Sequence, residues 1–282
     1  MILQNSTNNT EFKNLDETIL NKEDFKIRFF HIKDDYISLK IRNESKFYES
    51  DFLDFLAGFH FDGGFVIDVG ANIGNHSLYF AQRHNAIVFS IEPEPNNYFC
   101  LSLNAIINKY RGKIYPLNVG CGKTNCTMIL NQIIKNNYGS FKCEENKNFS
   151  PAIRNKIATE IPIYSLDSIF GNQFENGAIP SILKIDVEGM EENVLRGAKM
   201  LIEKFQPVIA AECQNNLEFK AVQDYLKNFG YYTFKCFNAT PTFIFLSRNN
   251  LLHTKKSQSI FYKESLLFAI KKRGFICDVP VY

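Results

Sequence analysis

No Cys-x-x-Cys pair occurs among the seven cysteines, and their number is odd. The chain is also much longer than the small secreted domains that disulfides hold together, so its thiols are read as reduced. No apolar run approaches the ~18 residues of a membrane span. The first residues, Met1 to Glu23, are polar and Asn-rich, without the basic start and apolar stretch of a signal peptide. These absences predict a soluble protein with a cytoplasmic location. A concentrated basic face is missing too: the formal net charge is +2, and only Lys255-Lys256 and Lys271-Lys272-Arg273 are dense in cations. Such short runs are read as solvated faces, and no nucleic-acid partner is expected. There is no Pro/Gly/Ser-rich linker and no internal repeat. One large domain over residues 61–248 is therefore expected, with an N-terminal extension over 1–60 and a tail over 249–282. Nothing in the sequence specifies an oligomeric state.

A rhythm of short apolar runs and amphipathic stretches fills that domain. Residues 1–24 read as flexible, Phe25 to Arg42 as the strands of a hairpin, and Ser50 to Phe59 as a short helix. Phe65–Val69 is a buried strand ending in a glycine turn, Asn75–His84 is helical, and Ala86–Ile91 is a second strand. Pro95 opens a second helix, Lys113–Val119 is a third strand and Ile182–Val187 a fourth. Met190, Val194, Leu201 and Phe205 form one stripe of a further helix, and Pro207–Ala211 is the fifth strand. Tyr231–Phe237 and Thr242–Leu246 would pair antiparallel at a sheet edge. Strands alternating with helices predict an α/β fold, a mostly parallel doubly wound sheet with an antiparallel edge strand. Residues 121–160 break the rhythm and read as an insertion.

Ligands of such a sheet bind beyond the carboxyl ends of its strands. Those ends carry Asp68 and the turn Gly70-Ala71-Asn72-Ile73-Gly74-Asn75, then Glu92-Pro93, Asn118-Val119, Asp186-Val187-Glu188, and Glu212. A dinucleotide turn needs Gly-x-Gly-x-x-Gly to close on a pyrophosphate, but only Gly70 and Gly74 are present and Asp68 would repel it. An acid there suits a ligand with an ammonium group and no phosphate, such as S-adenosyl-L-methionine. Asp68 or its hydrogen-bond network would hold the ammonium, and amides near Gly70 to Gly74 the carboxylate. Glu92 lies at the spacing of an acid that clamps ribose hydroxyls.

These blocks resemble the FkbM-like methyltransferases. Phe65 to Gly74 is similar to the opening motif of that family. Glu92-Pro93-Glu94-Pro95 with Asn97, Leu101, Asn104 and Asn108 is similar to its second block, and Ser165-Leu166-Asp167 to a third. Leu183-Lys184-Ile185-Asp186-Val187-Glu188-Gly189, continuing to Val194-Leu195-Arg196-Gly197-Ala198, resembles its most specific segment, and Pro207 to Glu212 its fifth strand. The resemblance implies a Rossmann-like class I methyltransferase fold, S-adenosyl-L-methionine as donor, and O-methylation of a sugar or related hydroxyl. Residues before 61, after 248 and within 121–160 depart from the pattern, and acceptor recognition is expected there.

A sugar hydroxyl needs a base late in methyl transfer. Asp186, Glu188 and Glu212 are the candidates, with His76 a weaker one. The same carboxylates could share a divalent metal, but no His partner or fixed ligand spacing favours it. Most of the 27 Phe and 13 Tyr read as core. Tyr138, Phe141 and Phe149 are candidates for acceptor contact. Two other classes remain: a non-catalytic nucleoside-binding or interaction module, opposed by the retained acids, and a nicotinamide oxidoreductase, opposed by the missing middle glycine. Methylation of an amine or carboxylate stays open.

Overall fold

A computed structural model describes residues 15–110, 112–132, 141–145, 158–171 and 178–272. The chain opens with an antiparallel hairpin, β1 (Leu15–Asn21) and β2 (Lys26–Ile32). Two helices follow, α1 (Tyr36–Glu44) and α2 (Ser50–Ala57). The strand expected up to Arg42 is thus half replaced by α1. Asp35 caps it by accepting from the Ser38 amide at 2.8 Å, and Ile37 and Ile41, four residues apart, pack on the core. The partner strand of β2 lies in the segment expected to be flexible, with Thr18 and Leu20 buried.

Among the described residues, the central sheet has seven strands. They are β3 (Gly64–Val69), β4 (Ile87–Ile91), β5 (Ile114–Leu117), β10 (Ile179–Ile185), β11 (Val208–Glu212), β12 (Tyr231–Phe237) and β13 (Thr242–Ser247). Their order is β12-β13-β11-β10-β3-β4-β5, with β13 running antiparallel to the other six. The fold is the expected α/β one. Since β3 is flanked by β10 and β4, the chain's direction of winding switches there and leaves a crevice beyond the carboxyl ends.

The crossover helices are α3 (Asn75–His84), α4 (Pro95–Ile107), α5 (Leu166–Phe170), α6 (Glu191–Arg196), α7 (Lys199–Phe205) and α8 (Asn216–Lys227). A last helix, α9, covers Leu251–Lys272. The single helix expected from Met190 to Phe205 is two, α6 and α7. At the break, a Cβ on Gly197 would lie 2.0 Å from the Gly122 carbonyl oxygen, so only glycine lets the two backbones meet. Gly122 leads into a second, four-stranded sheet in the order β6-β9-β7-β8. It comprises β6 (Gly120–Cys121), β7 (Cys126–Gln132), β8 (Phe141–Glu145) and β9 (Ala158–Tyr164).

The pleat of the central sheet separates two cores. Val66, Val88, Ile182 and Val208 face one, with α3, α4 and the N-terminal elements; Ile67, Leu183, Ile185 and Ile209 face the other, with α6, α7 and α8. The N-terminal hairpin is bound to α4 by two asparagines. Asn104 accepts from the Phe30 amide at 2.6 Å and donates to the Phe30 and Ile73 carbonyls. One turn on, Asn108 accepts from the Arg28 amide and donates to its carbonyl. The two side chains satisfy the edge of β2 as a neighbouring strand would.

Candidate active site

A cleft of about 270 Å³ opens at the carboxyl ends of β3, β4, β5, β10 and β11. The glycine turn forms its floor. Gly70 has φ +76°, and a Cβ there would lie 1.7 Å from the Asp186 carbonyl oxygen, so the turn after β3 and the turn after β10 are in backbone contact. Every amide from Gly70 to Gly74 is already used. Gly70 and Ala71 donate to the Ile91 carbonyl, Asn72 to Glu92 Oε2 at 2.8 Å, Ile73 to Asn72 Oδ1, and Gly74 to the Ala71 carbonyl. The expectation of free amides there is corrected: the turn spends them on its own shape.

Asp68 and Lys184 are partners in the register of β3 and β10, on the same face of the sheet. Both are buried, and their charged atoms lie 3.0 Å apart. Lys184 also donates to the Gly70 carbonyl at 2.9 Å and stands 3.6 Å from Asp186. Asp68 accepts from Ser77 Oγ at 2.6 Å. Burial opposes both charges. For Asp68 the Lys184 ammonium, His76 and the Ser77 hydrogen bond together outweigh it and hold the carboxyl below its ordinary range; for Lys184 the Asp68, Asp186 and Glu49 carboxylates together outweigh it and hold the amine above its own.

The other acids differ from Asp68 and from one another. Glu92 is buried, with its oxygens on the amides of Asn72 and Glu94. Burial outweighs those bonds and pushes it up to about 7. Glu212 is raised well above an ordinary carboxyl, by burial and by the neighbouring Asp186 carboxylate to which it hydrogen-bonds. The pair therefore holds a proton. Glu188 adopts φ 56° and accepts from Gln214 Nε2. Glu191, at the start of α6, accepts from the Val187 and Gly189 amides and so fixes the Asp186-to-Gly189 turn; burial raises it to about 7.

The remaining wall comes from the N-terminal segment. Asn75 is committed in both directions to the Tyr48 backbone, accepting from its amide at 3.1 Å and donating to its carbonyl at 3.0 Å. This sets Tyr48 and Glu49 beside the start of α3, where His76 Nε2 lies 3.2 Å from Glu49 Oε2. Opposite, Val119, Cys121, Leu130 and Ile163 give an apolar side.

Of the residues singled out in the sequence, Gly70, Asn72, Asn75, His76, Glu92, Pro93, Val119, Asp186, Glu188 and Glu212 line the cleft. Asp68, Gly74 and Asn118 do not line it. Gly74 packs on Leu101, and Asn118 donates to the Glu92 and Pro93 carbonyls. Tyr138 and Phe149 lie outside the described residues, as does the side chain of Phe141. Lys184, Glu49 and Glu191 were missed. A lysine in an apolar strand, two residues before Asp186 and hence on its face, was a usable signal; Glu49 had none. Among the described residues, no group of three or more His, Cys, Asp and Glu is placed to hold a metal ion. None of the described helices is long and apolar enough to cross a membrane.

Residues 68–232, more than half of the chain, match the Methyltransferase FkbM domain. The chain belongs to the FkbM methyltransferase family. Its relatives include Methyltransferase sdnD of Sordaria araneosa, 27% identical over 154 residues, covering 47% of this chain and 60% of the relative. Hexuronic acid methyltransferase AglP of Haloferax volcanii is 29% identical over 148 residues, covering 50% of this chain and 53% of the relative. The match thus spans little more than half the length of these relatives. Among solved structures, an FkbM methyltransferase from Methylobacillus flagellatus aligns with a TM-score of 0.48 at 16% identity, over 76% of this chain and 55% of the other. The matched FkbM domain begins at Asp68, so Tyr48 and Glu49 lie outside it.

Proposed function

We propose that the protein is an S-adenosyl-L-methionine-dependent O-methyltransferase acting on a hydroxyl of a sugar or glycan precursor in the cytoplasm. The observation that carries this reading is the charge of the cleft. Its described lining holds the carboxyls of Asp35, Glu49, Glu92, Asp186, Glu188 and Glu212, of which Glu212 keeps a proton and Glu92 is raised to about 7, against one lysine, Lys184, which is spent on Asp68, the Gly70 carbonyl and Asp186. Such a cleft suits a cationic nucleoside and repels the phosphates of a dinucleotide or a nucleic acid. S-adenosyl-L-methionine fits it, with a sulfonium and an ammonium group and no phosphate.

Glu92 would take the ribose hydroxyls, and Val119, Leu130 and Ile163 the face of the adenine. No side chain caps the first turn of α3, which leaves its amides for the carboxylate of the donor. When bound, the donor supplies a methyl group on a positively charged sulfur. The chain then has to hold an acceptor oxygen in line with that methyl and remove the oxygen's proton. The Asp186–Glu212 pair suits proton removal. Glu212 keeps a proton and donates it in a hydrogen bond, Lys184 steadies Asp186, and Asp186 accepts the acceptor's proton. Glu188 lies beside them at the rim. A sugar acceptor is supported by the AglP relative, a hexuronic acid methyltransferase.

Mass spectrometry of neutral sugars, uronic acids and glycans incubated with protein and donor tests the reading. The expected product gains one methyl group on a hydroxyl, and Asp186→Asn slows it by about 10²–10⁴-fold. A methyl found only on amines or carboxylates, or a rate untouched by Asp186→Asn, would contradict it. Tight donor binding without any methylated product would favour a non-catalytic module.

A further inference from the structure

Asp68 was the acid expected to meet the ammonium of the donor, yet the structure buries it and cancels its charge with Lys184. A ligand's ammonium at the glycine turn therefore needs another carboxylate. We propose that Glu49, supplied by the N-terminal segment outside the matched FkbM domain, is the counter-ion that binds the amino-acid tail of S-adenosyl-L-methionine. The inference rests on the donor-site reading above and adds a residue to it.

Three observations converge on Glu49. It lines the cleft beside the start of α3, held there by the reciprocal Asn75–Tyr48 backbone bonds. Its carboxylate lies 3.2 Å from His76 Nε2 and accepts from the Tyr48 side chain, which leaves part of the roughly four acceptor positions of a carboxylate open. Burial opposes its charge, but His76, Lys184 and Tyr48 together hold it below the ordinary range, so it is ionised at neutral pH. Glu212, raised by burial and Asp186, is protonated and cannot serve as the counter-ion.

The backbone supplies the third observation. Glu49 sits at the N-cap of α2 with φ 59°, and its side chain makes no capping hydrogen bond. An N-cap is normally a short polar residue bonded to the helix, and the left-handed region is costly for glutamate. A strained, non-capping glutamate that turns its carboxylate into a cleft fits a binding role better than a folding role.

Calorimetry of the full chain with two nucleosides tests this. S-adenosylhomocysteine carries the amino-acid tail; 5′-methylthioadenosine lacks it. Glu49→Gln is expected to weaken S-adenosylhomocysteine by about tenfold or more and leave 5′-methylthioadenosine unchanged. Glu49→Gly, which removes the carboxylate and relieves the positive φ, should show the same selective loss. An unchanged affinity for S-adenosylhomocysteine in both variants, or an equal loss for both nucleosides, would overturn the role of Glu49 alone. Failure of folded wild-type protein to bind either nucleoside would overturn the donor-site reading and this inference with it.

Discussion

Removal of the Lys184 ammonium would leave Asp68 ionised inside the sheet with Ser77 as its remaining hydrogen-bond donor. Breaking such a buried pair costs roughly 3–5 kcal/mol. Lys184→Met is accordingly expected to lower unfolding stability by that amount in a denaturant titration, and adding Asp68→Leu should recover much of it. Glu212 behaves in the opposite sense. Its carboxyl is raised in the folded protein relative to an ordinary value of 4.5, so its contribution is fully present below that pH and is lost as pH rises toward the raised value. Glu212→Gln keeps the hydrogen bond to Asp186 without the ionisation. The melting-temperature difference, variant minus wild type, should therefore grow from pH 5 to pH 9. A difference that stayed flat or shrank would count against the shared proton.

At the scale of elements, Asn104 and Asn108 explain why an antiparallel hairpin remains attached to an α/β sheet with which it forms no strand pair. Asn104→Leu strands the Phe30 amide and carbonyl and the Ile73 carbonyl. At roughly 1–3 kcal/mol per buried unsatisfied group, it should destabilise the protein by several kcal/mol and speed amide exchange first in β1 and β2. Exchange that rose uniformly through the sheet would show that the hairpin is not held separately. The same asparagines were visible in the sequence as part of a family block, although their spacing said nothing of their partner. The strands β3, β4, β10 and β11 were legible because each is a short apolar run ending in an acid or a glycine turn. Tyr36–Arg42 was not: its apolar residues alternate well enough for a strand, and the Asp35 cap decided for a helix. The break at Gly197 depends on Gly122, 75 residues earlier, a contact with no local signature.

Across the whole molecule, a net charge of +2 coexists with an acid-lined cleft, because among the described lysines and arginines Lys184 alone lines it. Sequence reasoning located the lining residues at the strand ends, since the topology of a doubly wound sheet fixes where those ends meet. It could not order them: whether Asp68 faces a ligand or a lysine depends on the register of β3 against β10. It also could not foresee that a segment before the matched FkbM domain would close one wall with Glu49. The proposed chemistry stands or falls with the preference of this cleft for a cationic adenosyl donor over phosphate-bearing nucleotides. Isothermal titration of the wild-type chain with S-adenosyl-L-methionine, beside NAD, measures that preference directly. Saturable binding of S-adenosyl-L-methionine with none for NAD is the predicted result; binding of NAD, or of neither ligand by folded protein, would contradict it.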